Sequence, residues 1–429
     1  MASSSIPGPP RRGFRLALLV LVLFGVETLS YTALAIRGRT LAPIAALGSE
    51  RAEVLAGDAM GAPPDRKSDV YAIHPYLGFV YSPAVNSPDF LVGHENPVSD
   101  QGFIDAGPPV HHRSEGKVIL GIFGGSVAYF FSVKGLPALE AALGADPAFA
   151  GKSFEVMRSA LGGWKQPQQL MALGYLLAEG GELDVLVNID GFNEVALYPA
   201  ENGPARVNPI YPTSWPQMVR DTPRSRVLVA ELAALWRTRR RQAKNFAMFP
   251  LRFSPTCNVA WKSLDVKVAS DIASRTAALK ELSKDGGFVE HGPPFAGTTD
   301  DGIAECVAIW KRSSLQMDRL CRENGIRYVH VIQPNQYDPG SKPLDAWEKE
   351  HAYQEHHGYR PGVEKGYPLL RKAADELHAE GVEIYDLTGI FSGVSEATYR
   401  DACCHLNDRG NRLVAEEIAR RMAARGPLR

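Results

Sequence analysis

Between about residue 117 and residue 424, short strand-like runs alternate with helical stretches. The runs are 118–123, 154–159, 185–190, 327–332 and 383–386; the helical stretches are 137–143, 166–178, 303–323, 369–379 and 409–424. Val118–Phe123, a short apolar run ending in Gly124-Gly125, reads as a buried strand. Successive parallel strands need a crossover, usually a helix, so this order dictates an α/β fold: a parallel sheet covered by helices on both sides. The alternation stops after Val195 and resumes near residue 300. The interval carries prolines, a basic helix at 225–244 and another helix at 264–283, and reads as a mostly helical insertion at about 198–300.

The N-terminus constrains topology. Arg11, Arg12 and Arg15 lead into an apolar run over 16–26; Glu27 interrupts it, 28–36 is again largely apolar, and 14–36 together form the candidate span. Its length suits one transmembrane helix, and the leading arginines place residues 1–13 in the cytoplasm. A cleaved signal peptide is the competing reading, because 16–26 has the length of an apolar signal core and Ala33-Leu34-Ala35 resembles a cleavage site. Either reading places the chain beyond residue 40 in the periplasm or at the cell exterior. Residues 37–70 read as a stalk and 71–429 as the folded domain.

Formal net charge is -1, which supplies no global field for nucleic acid. The five cysteines, 257, 306, 321, 403 and 404, lack zinc-site spacing, and His351, His356 and His357 lack that of a zinc protease, so neither metal nor cofactor is expected. Arg237, Arg239, Arg240, Arg241 and Lys244 form a basic helix face, either solvated or in contact with an anionic surface.

Three positions come just after the first three strands. Ser126 comes after Gly124-Gly125, Gly163 after 154–159, and Asn193 after 185–190. In open α/β sheets the carboxyl ends of strands hold the ligand site. A backbone N–H at Ser126, another at Gly163 and the Asn193 amide would form a three-donor oxyanion hole around a serine nucleophile. His405, just before the last helix, is the candidate base. Asp401 is the candidate acid; Asp408 or a backbone carbonyl could hold the imidazole instead. Trp164, next to Gly163, could stack on a sugar. Gln333, Asn335 and Gln336 come after the fourth strand and could contact substrate.

This order resembles the SGNH (GDSL-like) hydrolase superfamily. Phe123-Gly124-Gly125-Ser126 resembles its first block, Ala160-Leu161-Gly162-Gly163 its second and Gly191-Phe192-Asn193-Glu194 its third, while Asp401 with His405 resembles its fifth. Residues 163–173, 187–197, 330–342 and 403–411 are also similar to a bacterial membrane-anchored subgroup. The resemblance implies a flavodoxin-like three-layer sandwich without metal and ester chemistry on O-acyl groups. The expected substrate is an acylated glycan or small ester; an O-acyltransferase or a catalytically degenerate binding module are the alternatives. Two departures stand out: three residues separate Asp401 from His405 where the family usually has two, and Gly125 replaces the usual first-block acid.

Overall fold

The computed structural model describes residues 11–56, 70–83, 97–105, 107–147, 149–219, 223–283 and 287–426. The expected cytoplasmic residues 1–10 and the linker residues 57–69 lie outside them. The chain divides into a sheet-bearing unit, residues 67–220 with 286–429, and a helical unit, residues 1–66 with 221–285.

The sheet-bearing unit opens with an antiparallel hairpin of β1 (Tyr71–His74) and β2 (Gly78–Tyr81). The main sheet comes next: β3 (Lys117–Gly124), β4 (Ser153–Ala160), β5 (Val185–Asp190), β6 (Arg327–Ile332) and β7 (Ile384–Asp386). All pairings are parallel, in the order β4-β3-β5-β6-β7. This is a mixed α/β fold with a five-stranded parallel sheet. Every residue of central β5 is buried, as a strand covered on both faces must be, whereas β7 is a three-residue edge.

The chain leaves β3 in one direction to form β4, then crosses back beyond β3 to form β5, β6 and β7. Right-handed crossovers running in opposite directions put their helices on opposite faces. Accordingly, helix Leu136–Gly144 packs on Asp408–Ala424, while Thr299–Glu323 packs on both Gln168–Ala178 and Arg360–Ala379. The reversal lies between β3 and β5. Loops departing to opposite faces leave a crevice at the carboxyl ends of these two strands.

The helical unit contains Arg11–Gly38, Pro43–Ala56, Pro223–Phe246 and Pro255–Ser283. Residues 198–219 and 287–300, counted with the insertion on sequence, belong to the sheet-bearing unit; the helical segment 223–283 groups with the N-terminal helices instead. Within the span read as a stalk, Pro43–Ala56 is a packed helix whose Leu47 shares a small core with Leu34 and Trp261. The sparse apolar residues there meet a partner distant in sequence, which periodicity alone does not reveal. Phe14–Gly38 has a mean hydropathy of 2.0 over its best window and is almost wholly exposed within the protein, and is long and apolar enough to cross a membrane.

Gly124, the last residue of β3, has φ +142, and a β-carbon there would overlap the Ile189 carbonyl oxygen. Both the backbone angle and the space require glycine. Gly124→Ala is expected to lower stability by at least about 1–3 kcal/mol from backbone strain alone. Thermal unfolding of the detergent-solubilised chain, followed by circular dichroism, checks this; an unchanged midpoint would contradict it.

Candidate active site

Ser126 is the first residue of a short buried helix, Ser126–Phe130, entered directly from β3. A first-turn N–H has no acceptor within its own helix, so that of Ser126 is available to a ligand. The glycine before it is forced by its neighbour: a β-carbon on Gly125 would overlap Asn193 Nδ2. That overlap gives a physical reason for the missing acid at this position.

His405 reaches Ser126 from the far end of the chain. Its Nε2 lies 2.8 Å from Ser126 Oγ, and its Nδ1 lies 2.7 Å from Asp401 Oδ2. The loop carrying both residues is closed by a bridge between Tyr399 and Leu406, with Arg400 N–H donating to the His405 carbonyl at 2.9 Å. Inside it the chain bends over 401–404, and the Asp401 and His405 side chains meet. The other Asp401 oxygen, Oδ1, accepts from the N–H groups of Cys403, Cys404 and His405 at 3.0, 3.3 and 3.4 Å. The turn thus accommodates three intervening residues, and Asp401, not Asp408, is the partner of His405. Phe130 packs edge-on against the imidazole at 5.0 Å.

The electrostatics derive from this packing. Burial works against a charged His405, but the hydrogen bond and charge of Asp401 outweigh it and hold the imidazole pKa above its ordinary value. Burial likewise opposes ionisation of Asp401, and His405 with the backbone donors reverses that, leaving its pKa below the ordinary carboxylate value. The pair therefore favours an ionised acid and raises the basicity of the imidazole.

Asn193 sits in helix Phe192–Leu197, after β5. Its Nδ2 donates to the Trp164 carbonyl at 2.6 Å, which orients the amide. An amide nitrogen carries two hydrogens, so a second one is left to donate. Gly163, after β4, has φ +80, and no residue among those described accepts its N–H. The three expected donors thus belong to three neighbouring strand ends.

The expected substrate contacts take a different form. Trp164 is fully buried, and its Nε1 donates to the Phe79 carbonyl at 3.0 Å. Its ring is core, covered by the β1–β2 hairpin, and cannot stack on a sugar; its carbonyl is what serves the site. Gln333, Asn335 and Gln336 are buried too. Gln336 Nε2 donates to the carbonyls of Ala352 and Asp401 at 3.1 and 3.0 Å, so it braces the acid–histidine loop in place of contacting substrate. Asn335 Oδ1 accepts from Tyr337 N–H at 2.9 Å and shapes its own loop after β6, and the Gln333 carbonyl accepts from Tyr367 Oη at 3.2 Å.

Several residues escape a reading of the sequence alone. Lys342 and Glu348 form a fully buried ion pair at 3.0 Å, and Glu348 Oε1 accepts from Thr398 and Tyr399 N–H at 2.8 and 3.0 Å. Tyr337 Oη donates to the Ala402 carbonyl at 2.6 Å. Together these clamp the segment 398–402 around Asp401. Beneath the β5 end, Asp190 accepts from Trp310 Nε1 at 2.6 Å and Asn188 Nδ2 at 2.7 Å and pairs with His330 at 2.8 Å. Glu194 accepts from Gln166 and Gly191 N–H, each at 2.9 Å, tying the Asn193 turn to the second one; burial and the Asp190 charge push its pKa up to about 8.

The five cysteines are free thiols. Cys403, Cys404 and His405 form the one compact group of potential metal ligands among the described residues. Both His405 nitrogens are already engaged by Ser126 and Asp401, so this group does not fit a metal without dismantling the serine–histidine contact.

If His405 takes the serine proton, activity requires the neutral imidazole and is lost as pH falls through its raised pKa. The acid limb of kcat/KM should lie above the ordinary imidazole range. In Asp401→Asn the carboxylate that favours the imidazolium is gone, so the limb should move to lower pH, with a rate loss of about 10³–10⁴-fold. His405→Ala should be comparably impaired. An Asp401→Asn variant with the wild-type rate and limb would assign the orienting role elsewhere.

No protein-family model matches the chain and no curated protein matches it, so the chemistry rests on the residues themselves.

Proposed function

We propose that this chain is a serine esterase of the SGNH type, membrane-anchored with its folded units outside the cytoplasm. It would act on acetyl-type O-acyl esters of glycans or on small esters. The observation that carries this reading is the unbroken hydrogen-bonded series Asp401–His405–Ser126, assembled from residues far apart in sequence. The β4-β3-β5-β6-β7 order supports it as well, being the flavodoxin-type order that the resemblance implies.

In this reading Ser126 Oγ attacks the ester carbonyl carbon while His405 Nε2 takes its proton. The carbonyl oxygen becomes an oxyanion, and the N–H groups of Ser126 and Gly163 and the spare Asn193 N–H stabilise it. The imidazolium, stabilised by Asp401, returns the proton to the leaving alkoxide as the carbon–oxygen bond breaks. The seryl ester is then attacked by water, or by a glycan hydroxyl in a transferase, with His405 again taking the proton and returning it to Ser126 Oγ as the acyl–oxygen bond breaks. A degenerate binding module would have no need of an ionised acid held by three backbone N–H groups.

A fluorophosphonate should label wild-type protein on Ser126 and fail to label Ser126→Ala. Asn193→Ala should lower kcat on an aryl acetate by about 10²-fold, the usual effect of losing one oxyanion donor, with little change in KM. A folded wild-type preparation that resists the probe would overturn the enzymatic reading. An unchanged kcat in Asn193→Ala would remove Asn193 from the oxyanion site.

A further inference from the structure

The helix Arg11–Gly38 is apolar from Leu16 to Ile36 apart from Glu27 and a few small or hydroxylated residues. Glu27 is engaged within the helical unit. Its Oε1 accepts from Ser254 Oγ at 2.7 Å and its Oε2 from Thr256 N–H at 3.0 Å, while Ser30 Oγ lies 3.1 Å from Thr256 Oγ1. The first turn of helix Pro255–Ser283 is therefore fixed beside Glu27. Further along, Leu34 and Trp261 share one core with Leu47, so the two helices climb side by side in the same direction.

Membrane thickness turns this contact into a depth. A helix needs at least about 17 residues to cross the hydrocarbon core. Counted from Phe14, that minimum extends to Ser30 and leaves Glu27 below the membrane surface on the side of the folded units. Ser254 and Thr256, bonded to it, lie at the same depth. An acid at that depth is costly unless protein groups satisfy it, and here a hydroxyl and a helix N-terminus do so.

The turn just before Ser254 has the composition such a position demands. Met248, Phe249, Leu251 and Phe253 are exposed by 59, 77, 39 and 56%. Large exposed apolar side chains grouped in one short turn mark a contact surface. The one charge among them, Arg252, lies over the Phe253 ring at 4.5 Å, and a long basic side chain can direct its guanidinium toward lipid headgroups. Lys262, paired with Glu50, lies about 9 Å farther along the helix than Thr256, at the level expected of the polar headgroups.

We propose that the turn at residues 248–253 inserts into the bilayer leaflet facing the folded units, where lipid covers its apolar side chains and the turn shields Glu27 from hydrocarbon. The proposal rests on reading residues 14–36 as a membrane span.

The test uses the full chain in phosphatidylcholine–phosphatidylglycerol vesicles, with single added cysteines at Phe249→Cys, Leu21→Cys and Ser270→Cys. A membrane-impermeant maleimide is applied from outside, and labelling of each site is read by peptide mass spectrometry, which separates it from the native cysteines. Ser270, exposed about 21 Å beyond Thr256 on the same helix, reports vesicles whose folded units face outward. The expected result is that Ser270→Cys reacts readily, while Leu21→Cys and Phe249→Cys react at least about tenfold more slowly until sodium dodecyl sulfate dissolves the membrane. If Phe249→Cys reacts as fast as Ser270→Cys while Leu21→Cys stays protected, the insertion is wrong and the span stands. If Leu21→Cys reacts as well, the span itself is wrong, and the insertion falls with it.

Discussion

The reversal of chain direction between β3 and β5 is the constraint on which the site depends. Because the crossovers on either side of it go to opposite faces, the carboxyl ends of these adjacent strands are left open. Ser126 and Asn193 occupy the two sides of that opening, with Gly163 on the next strand out. The approach is so close that glycine is required at 124, against the Ile189 carbonyl, and at 125, against the Asn193 amide. A larger residue at either position would part β3 from its neighbour and separate Ser126 from the Asn193 amide.

The second half of the site arrives by a different device. Asp401 and His405 sit in a loop, where precision has to come from surrounding bonds rather than from a sheet. The Tyr399–Leu406 bridge closes its base, and the Gln336 amide, Tyr337 hydroxyl and Glu348 carboxylate hold its backbone from outside. Asp401 holds it from inside by accepting three consecutive N–H groups. The acid therefore both orders the turn and orients the imidazole, which is why Asp401 and His405 should behave as a unit.

These two devices also decide how much of the site is legible in the sequence. Strands of a parallel sheet announce themselves as apolar runs, and the residues just past their ends are read off directly, so Ser126, Gly163 and Asn193 are accessible to pattern. His405 and Asp401 are marked by their place before the last helix. The spacing of three intervening residues becomes intelligible only with the bend that Asp401 caps in view. Trp164 misleads because a tryptophan beside a strand-end glycine looks exposed, whereas the β1–β2 hairpin covers it. The Lys342–Glu348 pair is invisible, since two opposite charges in a polar stretch look solvated until burial is known. The grouping of 223–283 with the N-terminal helices likewise depends on contacts such as Leu34 with Trp261, which no local period encodes.

The proposed chemistry stands on a covalent ester at Ser126, formed with the help of His405. Rapid acid quenching of the full chain within the first turnover of an aryl acetate, followed by peptide mass spectrometry, tests it most directly. One acetyl group should appear on the peptide containing Ser126, decay as product accumulates, and fail to form in His405→Ala on the same timescale. Product release with no acetyl on Ser126 at any time, or acetyl forming there equally fast without His405, would contradict it.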